Sequence, residues 1–381
     1  MTNVNSILRS EAPFFLFREP GAERAHLGVC LQAPEKVFIE NFESSEHPEV
    51  SESFESPKTS EISESPSTLL EGMLVAPFDP SQPAWLMKAD RLEEIDIDSF
   101  LATQGVGAME RSTAERQSPA PDARASYLAQ CRAFIDAIRA GEAEKAILAR
   151  EVATEKMRRS EAFVYFCKLA KAYPNAFVSL IHLPEAGTWL GATPELLLVA
   201  DAEGRFKTMS LAGTKPAADR CYETAEAWPA KERREQAIVT EYIAATLRSA
   251  QIPFDQGKTE VLPAGAVLHL CTRFDGRIAP GQLPGLIRAL HPTPAVCGRP
   301  LGPALSLIAR EERLSRSLYA GYLGYVGAGV RLYVNLRCAR LTEDGATLYV
   351  GGGITADSDP QREWEETCLK AQTLLSPFDK P

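Results

Sequence analysis

Nothing in this chain approaches the roughly 18-residue uninterrupted apolar run that marks a membrane-spanning helix. The start, residues 1–10, has no basic segment followed by an apolar one, so the sequence reads as that of a cytoplasmic protein with no membrane partner. Basic residues are outnumbered and the formal charge is −10, which argues against nucleic acid, whose phosphates need concentrated Lys and Arg. An acidic total still permits a small anionic ligand held by a few local cations. The eight cysteines, at 30, 131, 167, 221, 271, 297, 338 and 368, form no CxxC or Cys/His ligand spacing and read as reduced thiols. Also missing are a fixed-period repeat, a GxGxxG dinucleotide fingerprint and a GxxxxGK[ST] phosphate loop.

What is present is a long chain, 381 residues at 45% apolar composition, able to bury a large core. Residues 43–67 interrupt the pattern. Glutamates at 43, 46, 49, 52, 55, 61 and 64 alternate with serines and with Pro48, Pro57 and Pro66 at a spacing that fits neither helix nor strand. Low hydrophobicity and like charge predict a disordered acidic insertion with no catalytic part. We place it in an N-terminal segment, 1–118, packed on a core of 119–378. Residues 73–78 are strand-like, and 108–123 form a polar, proline-containing connection.

In the core, Tyr127, Cys131, Phe134, Ile135 and Ile138 make a helical stripe, Gly141 caps it, and 145–152 alternates as a strand. Short turns join strands at 177–183, 189–192, 196–199 and 205–211, which favours antiparallel neighbours. Residues 319–326, 331–341 and 347–350 read as a meander with turns at 327–329 and 342–345. The predicted class is α+β, one large domain with central antiparallel sheets and helices outside.

Lys145 opens its strand on the face of Ile147 and Ala149. Desolvation lowers a lysine pKa, the condition for a general base, although a strand-edge lysine with its amine in water fits the same pattern. Glu195 lies between two apolar runs behind Pro194, where a carboxyl with a raised pKa could donate a proton; an edge glutamate facing solvent is the alternative. Glu235 shares a face with Ile238, Val239, Tyr242 and Thr246 in a helix over 232–248, so a divalent cation or simply the helix N-terminus would compensate it. Arg337 belongs to the polar set Arg331, Tyr333, Asn335 and Arg337 of one alternating strand, and its planar fork suits a carboxylate. His269 and Tyr319 could serve as polar contacts in a mostly apolar wall, although each taken alone fits a satisfied core residue as well.

A strand ending at Gly351, Gly352 and Gly353 removes side chains where backbone would approach a ligand. The helix after it puts Glu363, Glu366 and Lys370 on one face beside Trp364, Cys368, Ala371 and Leu375. That face can hold a hard cation; a solvated acidic helix is the plainer reading. Glu365 falls off it, toward solvent.

Lys145 in its strand, GATPELLL, LAGTKP, KERREQAIV, HPTPAVCG, NLRCARL and GGGITADSDPQREWEET occur in the order seen in chorismate-utilising enzymes. The chain most resembles isochorismate synthases of siderophore pathways, strongly over about residues 120–378 and more weakly around Pro77, Phe78, Asp79 and Pro80. The resemblance implies a deep Mg²⁺-dependent site in which water attacks C2 of chorismate, the double bonds shift and hydroxide leaves C4. Lys145 stands at the position of the base that activates water, and Glu195 at that of the acid. Glu235 and Glu366 match metal ligands, and Glu363 resembles a carboxylate that acts on the metal through water. Gly213, Thr214, His269, Tyr319, Arg337, Gly351, Gly353 and Lys370 match the pocket lining. No redox cofactor is implied, and a monomer is expected.

Relatives differ at particular residues. Anthranilate synthases lack lysine at the base position and use ammonia, so Lys145 implies water and no glutamine amidotransferase subunit. Aminodeoxychorismate synthases carry lysine where this chain has Ala212. Salicylate synthases share the lysine, the acid and the metal site and then eliminate pyruvate, which leaves them as the alternative, though the short core and HPTPAVCG favour stopping at isochorismate. A catalytically silent binding subunit of the same fold is a further alternative, against which Lys145, Glu195, Glu235 and Glu366 all stand intact.

Overall fold

Residues 7–8, 10–39, 71–103, 121–279 and 281–379 are described in the computed structural model. The acidic stretch 43–67 and most of the connection 108–123 lie outside the described residues. Among those described, no helix is long and apolar enough to cross a membrane.

Two antiparallel sheets face one another. Across the first run, in order, Gly298–Arg299, Lys145–Thr154, Ala346–Ile354, Cys338–Leu341, Gly187–Thr193, Phe177–Leu183, Phe14–Arg18, Arg24–Val29 and Arg91–Asp96. The second has Phe254–Gln256, Val267–Arg277, Arg205–Pro216, Leu196–Ala200, Val330–Val334, Tyr322–Val326, Gly72–Ala76, Ala84–Met87 and Glu35–Val37, with Glu260–Ala264 also paired to Val267–Arg277. Strands from before residue 97 are therefore hydrogen-bonded into both sheets.

The period of two along a strand explains the layering. In Phe14–Arg18, Phe14 and Leu16 join an outer apolar cluster with the helix Ala162–Ala172, whereas Phe15 and Phe17 point into the larger cluster between the sheets. Both faces of that strand are buried, as are those of Phe177–Leu183, so apolar residues fall on both faces, broken only by Arg18 in the first and by Ser179 and His182 in the second. The edge strand Arg91–Asp96 is mostly exposed and charged, as an unpaired edge requires. The helices Pro121–Arg139, Ala162–Ala172 and Pro360–Asp379 pack on the first sheet, and Ala230–Ser249 and Leu283–Leu290 on the second.

Residues 331–341 do not form the single alternating strand expected. Val330–Val334 belongs to the second sheet and Cys338–Leu341 to the first, and between them Asn335, Leu336 and Arg337 carry the chain across the gap. Arg337 takes φ +47°, a left-handed conformation that breaks the alternation. The expected meander is thus two hairpins in two sheets. The glycines 351–353 also do not follow a strand but lie inside it, paired with Ala149, Leu148 and Ile147. Glycine costs the ladder entropy there but no hydrogen bonds.

Aromatic contacts join the sheets. Phe177 of the first and Tyr333 of the second stack at 4.3 Å between centroids and 8° between planes. Truncating Phe177, which is fully buried, removes that stack, and Phe177→Ala should cost about 3–5 kcal/mol in urea denaturation. A loss below about 1 kcal/mol would mean that the facing residues close the gap.

Candidate active site

Two of the chain's passages between the sheets each carry a candidate side chain. From Gly187–Thr193 to Leu196–Ala200 it crosses at Pro194 and Glu195; from Val330–Val334 to Cys338–Leu341 it returns through Arg337. The passages lie side by side: Val334 N donates to Glu195 O at 3.0 Å and Ala192 N to Arg337 O at 3.2 Å. Pro194 thus marks a change of sheet, where a missing backbone donor does no harm. Glu195 is 4% exposed. Burial pushes its carboxyl up to about 8, against the opposing pull of Lys145, Arg337 and Lys370.

Arg337 is buried, which lowers its guanidinium to about 10. It is held by neighbours: Nη1 donates to Ala264 O at 2.9 Å, and Nη2 is 2.5 Å from His269 Nε2. His269 Nδ1 is 2.7 Å from Gly213 O. A carbonyl can only accept, so the imidazole proton sits on Nδ1 and Nε2 accepts from Arg337. Burial first, then Arg337 and Lys370, hold the His269 pKa well below its usual value, in keeping with this neutral tautomer. Gly213 has φ +71°, at the bulge between Ala212 and Lys215 that turns its carbonyl toward His269.

Across the cavity stand Lys145 and the glycine strand. Lys145 is 0% exposed. Its Nζ lies 3.0 Å from Glu235 Oε1 as an ion pair, yet makes no aligned hydrogen bond. Glu235 is on the buried face of Ala230–Ser249; burial pulls its pKa up, but Lys145, Lys231 and Lys370 together bring it below the ordinary value. The glycines make this closeness possible. A Cβ on Gly353 would stand 2.2 Å from Glu235 Oε1, and one on Gly351 2.7 Å from the Tyr319 hydroxyl. Tyr319 stacks on Tyr349 at 5.6 Å, and Lys370 Nζ donates to Gly351 O at 2.8 Å.

Most of these groups surround one cavity of about 690 Å³ including its mouth; Lys145 is not among its lining residues and lies behind the wall that Glu235 and Gly353 form. Glu195, Glu235 and the eight expected binding residues, Gly213, Thr214, His269, Tyr319, Arg337, Gly351, Gly353 and Lys370, line it. Glu363 and Glu366 instead line an adjoining cleft that shares Thr214, next to Lys215, Lys231 and Glu232. The acidic helix lies where expected: Glu363 is buried, Glu366 and Lys370 are half-buried and 2.8 Å apart, and Glu365 is exposed.

The residues suit a hard cation. Glu363 Oε2 is buried with no hydrogen-bond partner, and burial together with Glu366 raises that carboxyl to about 7 against Lys231. Gly352 presents no side chain there; its Cβ would come 3.3 Å from Glu363 Oε2 and 3.7 Å from Glu366 Oε1. Among the described residues no three acidic, His or Cys side chains are gathered tightly enough to coordinate one ion.

Reading by sequence missed Lys231, whose Nζ is 2.5 Å from Glu363 Oε1. Its signal was available, since it stands four residues before Glu235 on the same helical face. Lys215, paired with Glu232, was also missed, and no local pattern announces that pair. All eight cysteines are free.

A family model described as "Chorismate binding enzyme" matches residues 87–378. The chain is 35% identical over 326 residues to a protein of Mycobacterium tuberculosis named as a candidate isochorismate synthase, MenF; the match covers 79% of this chain and 84% of that protein. It is 30% identical over 322 residues to the isochorismate synthase EntC of Escherichia coli, covering 79% of each. Its fold is similar to the solved structure of MenF, the menaquinone-specific isochorismate synthase of Escherichia coli, with a TM-score of 0.71 at 20% identity over 99% of this chain and 91% of that one.

The electrostatics give a direct test. In the ligand-free protein Glu195 should titrate near pH 8 by difference infrared spectroscopy, protonated below and ionised above. Arg337→Gln removes one of the cations that favour the carboxylate, so the titration should move upward. A downward move, or titration in the ordinary carboxylate range, would contradict the burial argument.

Proposed function

The chain belongs to the chorismate-binding enzyme family, and we propose that it is a Mg²⁺-dependent isochorismate synthase that adds water at C2 of chorismate and removes hydroxide from C4. The observation that carries this reading is a buried carboxyl, Glu195, lining one cavity, with a buried amine, Lys145, directly behind the Glu235 and Gly353 part of its wall. Water is a poor nucleophile and hydroxide a poor leaving group, so the reaction needs a base and an acid together.

Glu195 supplies the acid. With its pKa at about 8 it holds a proton at neutral pH, ready for the departing C4 oxygen. Lys145 supplies the base; its amine has no aligned hydrogen bond within the protein and faces the bare backbone of Gly353. Arg337, held by His269 and Ala264, offers a fixed cation to a substrate carboxylate, and Lys370 offers a second. Tyr319 and Tyr349, stacked on each other, form part of the cavity wall next to Gly351. Glu235 and Glu366 would hold the metal, with Glu363 acting through water. When bound, Mg²⁺ would anchor and neutralise a carboxylate of the dianionic substrate.

The reaction as proposed uses water and no amidotransferase partner, in a cytoplasmic monomer. For the product we propose use in siderophore biosynthesis, through 2,3-dihydroxybenzoate or salicylate. Induction of the gene under iron starvation would support that use, and a menaquinone requirement in a deletion strain would overturn it.

Incubation with chorismate and Mg²⁺ should yield an isomer of unchanged mass. Release of pyruvate would replace this reading with salicylate formation, and absence of turnover would leave a binding subunit. Lys145→Ala should lower kcat by at least about 100-fold while Mg²⁺-dependent chorismate binding, measured by calorimetry, persists. Retained turnover would remove Lys145 as the base. Glu235→Gln should raise the Mg²⁺ concentration needed for half-maximal activity, and an unchanged metal titration would show that Glu235 is not a ligand. Since the acid form of Glu195 is lost as pH rises, kcat/KM should fall above about pH 8.

A further inference from the structure

Glu312 and Arg316 form an ion pair with side chains 2% and 3% exposed, outside the catalytic set. The pair is bidentate, Arg316 Nε to Glu312 Oε1 at 2.6 Å and Nη2 to Oε2 at 2.7 Å. Buried pairs of this kind often add little stability, so their other contacts say what they are for. Here these run to backbone. Nη1 donates to Val296 O at 2.8 Å, Nη2 to Ile147 O at 2.7 Å, and Glu312 Oε2 accepts from Ala149 N at 2.8 Å.

Those contacts fall where a strand is missing. Lys145–Thr154 has Ala346–Ile354 along one edge, but on the other its neighbour is the two-residue strand Gly298–Arg299, which reaches only Lys145 and Ala146. Ile147 N still finds Cys297 O at 2.7 Å. Beyond it, the buried Ile147 carbonyl and Ala149 amide would go unpaired without the ion pair. Ile147 and Val296 both line the cavity, and Lys145 precedes Ile147 by two residues.

We propose that Glu312 and Arg316 are positioning residues that stand in for the missing neighbour strand and fix the segment carrying Lys145 against the Val296 wall. This rests on the reading of Lys145 as the base. A carboxylate and a guanidinium offer an acceptor and donors on one rigid fork, which is what an unpaired strand edge needs; lysine, with one nitrogen, cannot span the four oxygens that Arg316 reaches.

The test compares the parent enzyme with Glu312→Gln and Arg316→Lys at a temperature where circular dichroism shows each fully folded. Both variants should lose about 100-fold in kcat while KM for chorismate stays within about threefold, the pattern of a misplaced catalytic group. Amide exchange at 147–149 should accelerate in the variants and not in Phe177–Leu183. In the parent, the Ala149 amide should exchange as slowly as the core strands, a readout that needs no variant. Folded variants with parent kcat, or an Ala149 amide that exchanges fast in the parent, would overturn the proposal. Failure of the parent to turn over chorismate would instead overturn the functional reading, and the exchange result would still decide the role of the pair at the strand edge.

Discussion

The ladder between Lys145–Thr154 and Ala346–Ile354 is the constraint on which the site depends. Where Ile147, Leu148 and Ala149 face Gly353, Gly352 and Gly351, one strand has no side chains. The Glu235 carboxylate, the Lys145 stem and the Tyr319 hydroxyl all lie within 3 Å of the places where Cβ atoms would stand. A Cβ at Gly353 would collide with the Glu235 carboxylate and the Lys145 stem, so a larger residue there would displace both. The backbone hydrogen bonds supply the rigidity that absent side chains cannot, so the strand is both bare and stiff.

Around that ladder, charge is buried in mutually compensating sets. Lys145 faces Glu235, Lys231 faces Glu363, and Lys370 faces Glu366. Glu195 has three cations nearby but no carboxylate-to-cation bond, which is why it alone of the cavity's acids is pushed to about 8 while Glu235 is held low. The same residue type is thus pushed in opposite directions a short distance apart, by burial at Glu195 and by neighbouring cations at Glu235. The neutral His269, locked between Gly213 and Arg337, adds no competing charge.

Much of the site was legible along the chain because its elements are short-range patterns. The helical face of Glu363, Glu366 and Lys370, the strand face of Lys145, and Glu195 behind Pro194 all follow from periods of 3.6 and 2. Arg337 was legible as a residue type but not as a position. A strand that changes sheet keeps its apolar alternation up to the crossing, so Leu332, Val334 and Leu336 give no sign that the alternation stops at Asn335. The glycines were read as a strand end for a similar reason, since loss of side chains does not tell an extended strand from a loop. The pairs Lys215 with Glu232 and Arg316 with Glu312 join or brace elements whose nearness is a property of the sheets.

By itself the sequence determined the class, an α+β chain of antiparallel strands and amphipathic helices, and it marked which residue types stand at candidate positions. Those properties are local, set by residue type and periodicity. Only the tertiary structure decided that Glu195 and Arg337 lie on two adjacent crossings between sheets, that burial pushes the Glu195 carboxyl up, and that a buried ion pair borders the Lys145 strand. Each of these depends on which distant backbone excludes water from a side chain, and burial is a property of packed sheets that no local window contains.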